Sequence, residues 1–323
     1  MDRTTRWTVQ PGGPYDQEVG AHLIEKHPEV VAHRVLRSIT TEHYSITTEH
    51  LEPLHKLQGW NFIDAWFQCA EAHYLAWTHG IHHQDPSLDN LMYRGRRDGK
   101  ICPVFNDWDL AIDASAPQTH TGLQRTGTMQ FMASARLESG AWDGHLPHIY
   151  RHDLEAFLYI LAWVLCCYKD GQRLHPLPPL FQTWTKGDTN ECYNSKYRFI
   201  HDERWPQDSL PTDSWSSAMV AFADIIRLFF TVMLRKLAGS PESWMQSRLD
   251  NIRARSGGRA LPPSGRALPP PKEDDRPTEI WEDFCGAVKE GLSALSNRMN
   301  SKKEDLPPRL ASFLPDSQMD TPW

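Results

Sequence analysis

Residues 82–90 read His82-His-Gln-Asp-Pro-Ser-Leu-Asp-Asn90, and residues 106–111 read Asn106-Asp-Trp-Asp-Leu-Ala111. After the first stretch, residues 90–93 and 101–105, apolar apart from Asn90, flank a turn containing Asp98 and Gly99. This pattern predicts a short β-hairpin. We therefore expect the two stretches to form loops that converge at one end of the hairpin.

The two loops together carry an Asp, an Asn five residues later and a second Asp beyond the hairpin. Phosphoryl transfer from ATP needs a carboxylate that orients the attacking hydroxyl and accepts its proton. It also needs oxygen ligands for Mg²⁺, which neutralises the phosphates. The loops supply both kinds of group.

The arrangement resembles the protein-kinase catalytic loop, His-Arg-Asp-x-x-x-x-Asn, followed by the Asp-Phe-Gly metal motif. The resemblance implies that Asp85 is the catalytic base and that Asn90 and Asp107 hold Mg²⁺-ATP. His83 takes the place of the histidine that packs between the two loops.

Two further motifs follow in the order found in kinases. Residues 125–133, Arg-Thr-Gly-Thr-Met-Gln-Phe-Met-Ala, resemble the end of a kinase activation segment, which implies that Thr128 hydrogen-bonds Asp85. Residues 150–157, Tyr-Arg-His-Asp-Leu-Glu-Ala-Phe, resemble the start of the buried helix whose Asp anchors the catalytic loop, here Asp153. Four motifs in this order are far more specific than any one of them.

The particular spellings of these motifs resemble the fungal-type protein kinases, over roughly residues 7–237. The resemblance implies an α+β, protein kinase-like fold with a mostly helical C-lobe and a truncated or degenerate N-lobe. It implies ATP and Mg²⁺ as cofactors and the phosphorylation of Ser and Thr in a protein substrate of unknown identity.

Several positions depart from the usual kinase pattern. Gln84 replaces the Arg that grips a phosphorylated activation loop, so activation by loop phosphorylation is not expected. Ser87 stands where a Lys usually contacts the transferred phosphate. Asp109 replaces a Gly and is either a further neighbour of the metal or a residue that stiffens the loop. Residues 133–135, Ala-Ser-Ala, lack the Glu that normally pairs with a buried Arg.

The largest departure lies in the first fifty residues, which contain no Gly-x-Gly-x-x-Gly loop and no Val-Ala-x-Lys strand. Lys26 and Lys56 are the only lysines before the catalytic loop, and neither lies on a convincing strand. Glu18 is a candidate for the glutamate that pairs with the missing lysine. The sequence therefore looks like a kinase that begins after its third strand.

Apolar periodicity predicts helices over residues 61–79, 153–168, 214–237 and 279–299. The stretch between the last two is rich in Pro, Gly and Arg and cannot build a core. The predicted organisation is a partial N-lobe at 1–55, a C-lobe at 56–238 (catalytic loop 82–90, metal motif 107–109, activation segment 107–135), a disordered insert or linker at 239–278, a helix at 279–300 and a disordered tail at 301–323.

Composition restricts the partners. The net charge is −7, so no basic field points to nucleic acid or to an anionic membrane. The longest apolar runs fall short of the roughly 20 residues that a bilayer requires. The six cysteines are scattered, which argues against a zinc site or a disulfide framework. We expect an intracellular protein, cytoplasmic or nuclear, with no clear oligomerisation signal.

Three functions stay open at this point. The first is a protein kinase-like phosphotransferase. The second is a catalytically impaired pseudokinase that acts as an interaction scaffold, because the phosphate-covering loop and its lysine are missing. The third is a small-molecule kinase of the aminoglycoside or choline type, which also uses a His-x-Asp-x-x-x-x-Asn loop, although the Arg-Thr-Gly-Thr stretch argues against it.

Overall fold

A computed structural model describes residues 51–96, 99–115, 127–137, 148–201, 214–237 and 276–314. The predicted N-lobe up to residue 50, with Lys26 and Glu18, lies outside the described residues, as does the predicted linker up to residue 275. The described part mixes helices with small sheets and is mostly helical.

The helices and strands follow one another in this order: β1 (Glu52–Pro53), α1 (Gly59–Thr78), β2 (Ile81–His82), β3 (Leu91–Gly95), β4 (Ile101–Phe105), β5 (Ile112–Asp113), α2 (Ser134–Leu137), α3 (Tyr150–Cys167), β6 (Tyr168–Lys169), β7 (Gln172–Arg173), α4 (Pro179–Lys186), α5 (Thr189–His201), α6 (Ser214–Leu237), α7 (Pro277–Met299) and α8 (Pro308–Ala311). Short 3-10 turns lie at Leu54–Lys56, Leu88–Asn90, Trp108–Leu110 and Lys303–Asp305.

Helix α1 buries one apolar face, as its periodicity predicts, and Trp66 on that face donates a hydrogen bond from Nε1 to the carbonyl of Phe157, 3.0 Å away. The helix begins at Gly59, two residues earlier than we predicted, and Gln58 is its N-cap. It stops before Gly80, whose φ of +84° is a backbone conformation that glycine adopts without strain.

Helix α3 forms the centre of the core. All of its residues except Val164 are buried, which agrees with a sequence that is apolar on nearly every face. It packs against α1 on one side and against α6 and α7 on others. Polar groups at its N-terminal end, among them Asp153 and Glu155, are buried as well and point to specific partners.

Two antiparallel pairings position the polar loops. Strands β3 and β4 form the predicted hairpin, in which Leu91 lies opposite Phe105, and β1 adds a third strand beside β3. Strands β2 and β5 pair with His82 opposite Ile112. The start of the stretch that follows β2 therefore lies beside the end of the stretch that follows β4.

The C-terminal region differs from the predicted disordered tail. Residues 301–314 contain a 3-10 turn and α8, and their Leu306 and Leu310 are buried. Phe313 packs edge-on against Phe67 of α1, with ring centroids 5.1 Å apart. Composition alone missed these contacts because a few apolar residues suffice to hold a short segment against a core that is already formed.

Helix α7 begins at Pro277, so the last residues of the predicted linker are helical. Among the described residues, no helix combines the length and the apolar character that crossing a bilayer demands.

Candidate active site

The catalytic-loop and metal-motif stretches are joined at both ends. At one end the β2–β5 pair holds His82 opposite Ile112. At the other end, beyond the hairpin, the N–H of Asn106 donates to the carbonyl of Asn90 at 2.8 Å. These backbone contacts bring the two polar stretches into one site, as the spacing predicts.

His83 lies between the two loops and is fully buried. Its Nε2 is 2.9 Å from the carbonyl of Asn106, while its Nδ1 accepts a hydrogen bond from the N–H of Asp85 at 3.3 Å. Its ring stacks on Phe105 with centroids 4.1 Å apart. Burial lowers the pKa of His83 to about 4, so the ring is neutral at pH 7 and Nε2 carries its proton. The histidine therefore fixes the backbone of Asp85 and that of Asn106, the residue before Asp107.

The carboxylate of Asp85 is held by Thr128. The N–H of Thr128 donates to one carboxylate oxygen at 2.7 Å, and its Oγ1 lies 3.4 Å from the other. Burial raises the pKa of Asp85; the Thr128 hydrogen bonds oppose this shift, and the charges of Asp153 and Asp107 add to it. A raised pKa makes this carboxylate a better proton acceptor than an ordinary surface aspartate.

Asn90 contacts the backbone of Asp85, and Asp107 is close enough for its charge to act on the Asp85 carboxylate. The Asn90 amide nitrogen donates to the carbonyl of Asp85 at 3.0 Å, which fixes this amide across the loop. Asp107 has φ 59° and ψ 64°, a left-handed conformation that is uncommon for a residue other than glycine. Such backbone conformations occur where a side chain must be aimed at a functional site.

Asn90 and Asp107 offer an amide oxygen and a carboxylate, which suit a hard cation such as Mg²⁺. No group of three or more His, Cys, Asp and Glu side chains able to hold a metal occurs in the described part of the chain. This donor set fits Mg²⁺, because that ion is usually held by one or two protein oxygens together with water and nucleotide phosphates. Asp109 is exposed and lies on the 3-10 turn Trp108–Leu110, two residues after Asp107.

Asp153 anchors the catalytic loop from α3. One oxygen accepts the N–H of Gln84 at 3.1 Å and lies 3.0 Å from Nε2 of His73, and the other contacts Nε2 of His148. Burial alone would raise the pKa of Asp153, but His148 and His73 outweigh it and hold the pKa well below its usual value. Gln84 has a positive φ of 69°, so this hydrogen bond holds a strained backbone position immediately before Asp85.

Two residues that the sequence did not single out fix the segment after Thr128. Glu155 of α3 accepts hydrogen bonds from the N–H and Oγ of Ser134, both at 2.8 Å. Lys196 of α5 is fully buried, and its ammonium donates to the carbonyls of Met129 and Met132 at 3.0 and 2.5 Å. Glu155 and Lys196 therefore hold the segment from Met129 to Ser134 against α3 and α5.

The structure describes two of the positions at which the sequence departs from the usual kinase pattern. Ser87 is buried, so it does not present a group to solvent in place of the usual lysine. Lys56 lies on a 3-10 turn and forms an ion pair with Glu52, with half of its side chain exposed. Lys56 therefore does not occupy a buried position on a strand, which agrees with the sequence-based expectation that it lies on no convincing strand.

The two loops, Asp153 and Thr128 are joined by the contacts that the resemblance to protein kinases implies. The comparison of sequences agrees, because residues 13–165 match the family model of the fungal protein kinases. This match spans the catalytic loop, the metal motif, the Gly-Thr stretch and the first sixteen residues of α3. It confirms the resemblance to fungal protein kinases and supports a kinase-related function. No curated protein sequence matches the chain significantly.

Proposed function

We propose that this protein transfers the γ-phosphoryl group of ATP to Ser or Thr hydroxyls of a protein substrate. The observation that carries the proposal is the placement of Asp85. Its carboxylate is held by Thr128, its backbone by His83 and its neighbour Gln84 by Asp153. Three separate elements thus fix Asp85 and the residue before it, close to the two candidate metal ligands.

In the proposed reaction, Asp85 accepts a hydrogen bond from the attacking hydroxyl and takes up its proton as the new phosphorus–oxygen bond forms, while the bond from the γ-phosphorus to the bridging oxygen breaks and ADP leaves. Thr128 keeps the carboxylate in one rotamer, so the hydroxyl is aimed as well as activated. The amide oxygen of Asn90 and the carboxylate of Asp107 would hold Mg²⁺. Bound Mg²⁺ supplies charge neutralisation for the phosphates.

Phosphate transfer tests the proposal directly. The purified chain is incubated with Mg²⁺ and ATP labelled at the γ-phosphate, with a library of Ser- and Thr-containing peptides, and incorporation is counted. Asp85→Asn removes the base but keeps the shape, and we expect at least a hundredfold loss. Asp89→Asn, an exposed position of the same loop, is the matched control. Equal transfer by wild type and Asp85→Asn would refute the assigned role.

A second candidate function, a pseudokinase scaffold, is favoured by one group of observations. The first fifty residues lack a Gly-rich loop and a Val-Ala-x-Lys strand, Lys56 is engaged by Glu52, and Ser87 replaces the usual lysine. The scaffold requires that the folded chain transfers no phosphate. Autophosphorylation that Asp107→Ala abolishes would rule it out, whereas a folded wild type without any incorporation would favour it.

A further inference from the structure

The turn from Thr128 to Met132 carries the hydrogen bonds that orient the Asp85 carboxylate. Within the turn, the carbonyl of Thr128 accepts the N–H of Phe131 at 2.8 Å and that of Met132 at 3.0 Å. Thr128 also donates its own N–H to Asp85 at 2.7 Å. The direction of this N–H, and with it the hold on the carboxylate, therefore depends on the shape of the turn.

Lys196 of α5 contacts the same turn with its ammonium group. The side chain is 0% exposed, and Nζ donates to the carbonyl of Met129 at 3.0 Å and to that of Met132 at 2.5 Å. The first of these carbonyls directly follows Thr128, and the second lies at the end of the turn. One ammonium group therefore ties both parts of the turn to α5.

The surroundings of Lys196 hold its charge in the interior. A buried ammonium costs free energy unless it finds hydrogen-bond acceptors, and lysines are rarely fully buried for this reason. Here Nζ lies 4.1 Å from the ring centroid of Tyr159 and 5.4 Å from that of Trp184, which are distances of cation–π contacts. Aromatic faces of α3 and α4 thus place the ammonium where it meets the carbonyls of the turn.

We propose that Lys196 is a positioning residue for Asp85, because it holds the turn in the shape in which the N–H of Thr128 points at the carboxylate. This inference rests on the proposed function and adds to it a residue of α5 that acts on the base through Thr128.

Loss of the Lys196 contacts should change the ionisation of Asp85. The Thr128 hydrogen bonds favour the charged carboxylate and lower the pKa of Asp85, against the larger effect of burial, which raises it. A turn released at Met129 and Met132 holds the Thr128 N–H less firmly. The pKa of Asp85 should then rise, so the protonated carboxyl, which cannot accept a proton, persists to higher pH.

Carbon-13 NMR of protein labelled at the aspartate carboxyl carbons measures this ionisation without ATP or substrate. Asp85→Asn identifies the Asp85 signal, and a titration from about pH 7.5 to about pH 4 gives its midpoint. Lys196→Met keeps the length of the side chain and removes its donors. Its midpoint should lie about one pH unit above that of the wild type, a tenfold change in the acid dissociation constant.

Two further variants separate the turn from the charge and from stability. Lys196→Gln removes the charge but keeps an NH₂ donor for one carbonyl, so it should move the midpoint less than Lys196→Met. Leu292→Ala, at a fully buried position of α7, destabilises the fold by opening a cavity and should leave the midpoint unchanged. A thermal melt of each variant shows whether it is folded at the pH of the titration.

An unchanged midpoint in both Lys196 variants would overturn the inference. A shift in Lys196→Gln as large as that in Lys196→Met would mean that the charge acts on Asp85 directly, which would overturn the route through the turn. An equal shift in Leu292→Ala would reduce the effect to general destabilisation and overturn it too. If Lys196→Met does not fold, a midpoint of Lys196→Gln above those of the wild type and Leu292→Ala supports the inference.

Phosphate transfer provides a second readout. The acid limb of kcat against pH should move with the NMR midpoint in Lys196→Met, while the KM for ATP stays unchanged. A shifted midpoint in a chain that transfers no phosphate would refute only the proposed function. Phosphate transfer by a chain whose midpoint does not respond to Lys196 would refute only the inference about this residue.

Discussion

The substitution Asp153→Asn tests how strongly α3 holds the catalytic loop. The wild-type carboxylate is 2% exposed and meets three partners: Gln84 N–H, His73 and His148. Asparagine keeps only one of the two acceptor oxygens, so at least one of these three contacts is lost. The NH₂ group that replaces the other oxygen faces a hydrogen-bond donor and cannot accept from it. Hydrogen bonds to a buried charge contribute about 1.5–3 kcal/mol each. We expect a loss of about 3–5 kcal/mol, which corresponds to the loss of one or two such hydrogen bonds.

The assay is urea unfolding at pH 7, followed by tryptophan fluorescence, which the 13 tryptophans make sensitive. Asp89→Asn makes the same chemical change at an exposed position of the neighbouring loop and should cost less than about 0.5 kcal/mol. For a domain of this size, the loss in Asp153→Asn corresponds to a melting temperature lower by on the order of 10 °C.

The pH dependence provides an internal check on the same residue. Because the pKa of Asp153 is held well below its usual value in the folded state, its contribution is fully present above about pH 4, where the unfolded carboxyl ionises. It is lost as the pH falls towards the folded-state pKa. The stability gap between wild type and Asp153→Asn should therefore narrow below about pH 4. A variant as stable as Asp89→Asn at pH 7, or a gap that does not narrow in acid, would refute the reasoning.

Three further changes have definite expected outcomes. Lys196→Met keeps the length of the side chain but leaves the carbonyls of Met129 and Met132 without their donor, and should cost about 2–4 kcal/mol in urea unfolding; a loss below 1 kcal/mol would contradict this. Gly127→Ala places a side chain at a backbone φ of +128° and its Cβ 3.0 Å from the side chain of Met132. The melting temperature should therefore fall by several degrees. An unchanged melting temperature would contradict this backbone conformation at Gly127. Burial lowers the pKa of His82 to about 4, so its share of the stability is present above about pH 6.5 and is lost as the pH falls towards 4. His82→Phe should therefore flatten the decline in urea midpoints between pH 7 and pH 4.5, and a decline as steep as that of the wild type would contradict the shift.

The long helices and the hairpin could be predicted from the sequence because their apolar periodicity is strong. Helix α6 has the predicted bounds, and α1, α3 and α7 differ by three residues or fewer at either end. Helices α4 and α5 were not predicted, although Pro179 at the first position of α4 is a start signal. The two-residue strands β2 and β5 carry no pattern of their own, since only tertiary pairing defines them.

The sequence predicts the parts of the site that lie within motifs. It predicts less well the parts that depend on packing between residues far apart in the chain. The resemblance to kinases implied the contact of Asp85 with Thr128 and that of Asp153 with the catalytic loop, and the structure contains both contacts. The buried position of Lys196 could not be predicted, because a lysine in a polar helix ordinarily faces solvent. His148, five residues before Asp153, is a signal that could have been followed, since a buried carboxylate requires a partner.

Binding of Mg²⁺-ATP is the measurement that tests the central claim most directly, and it is made by thermal shift on the wild type and on Asp107→Asn. Ligand at about a hundred times its dissociation constant stabilises a fold by about 2.7 kcal/mol, which corresponds to roughly 5–10 °C here. We predict a shift of this size that requires Mg²⁺ and disappears in Asp107→Asn. A folded wild type without a shift, or a shift that the variant retains in full, would contradict the account of the site.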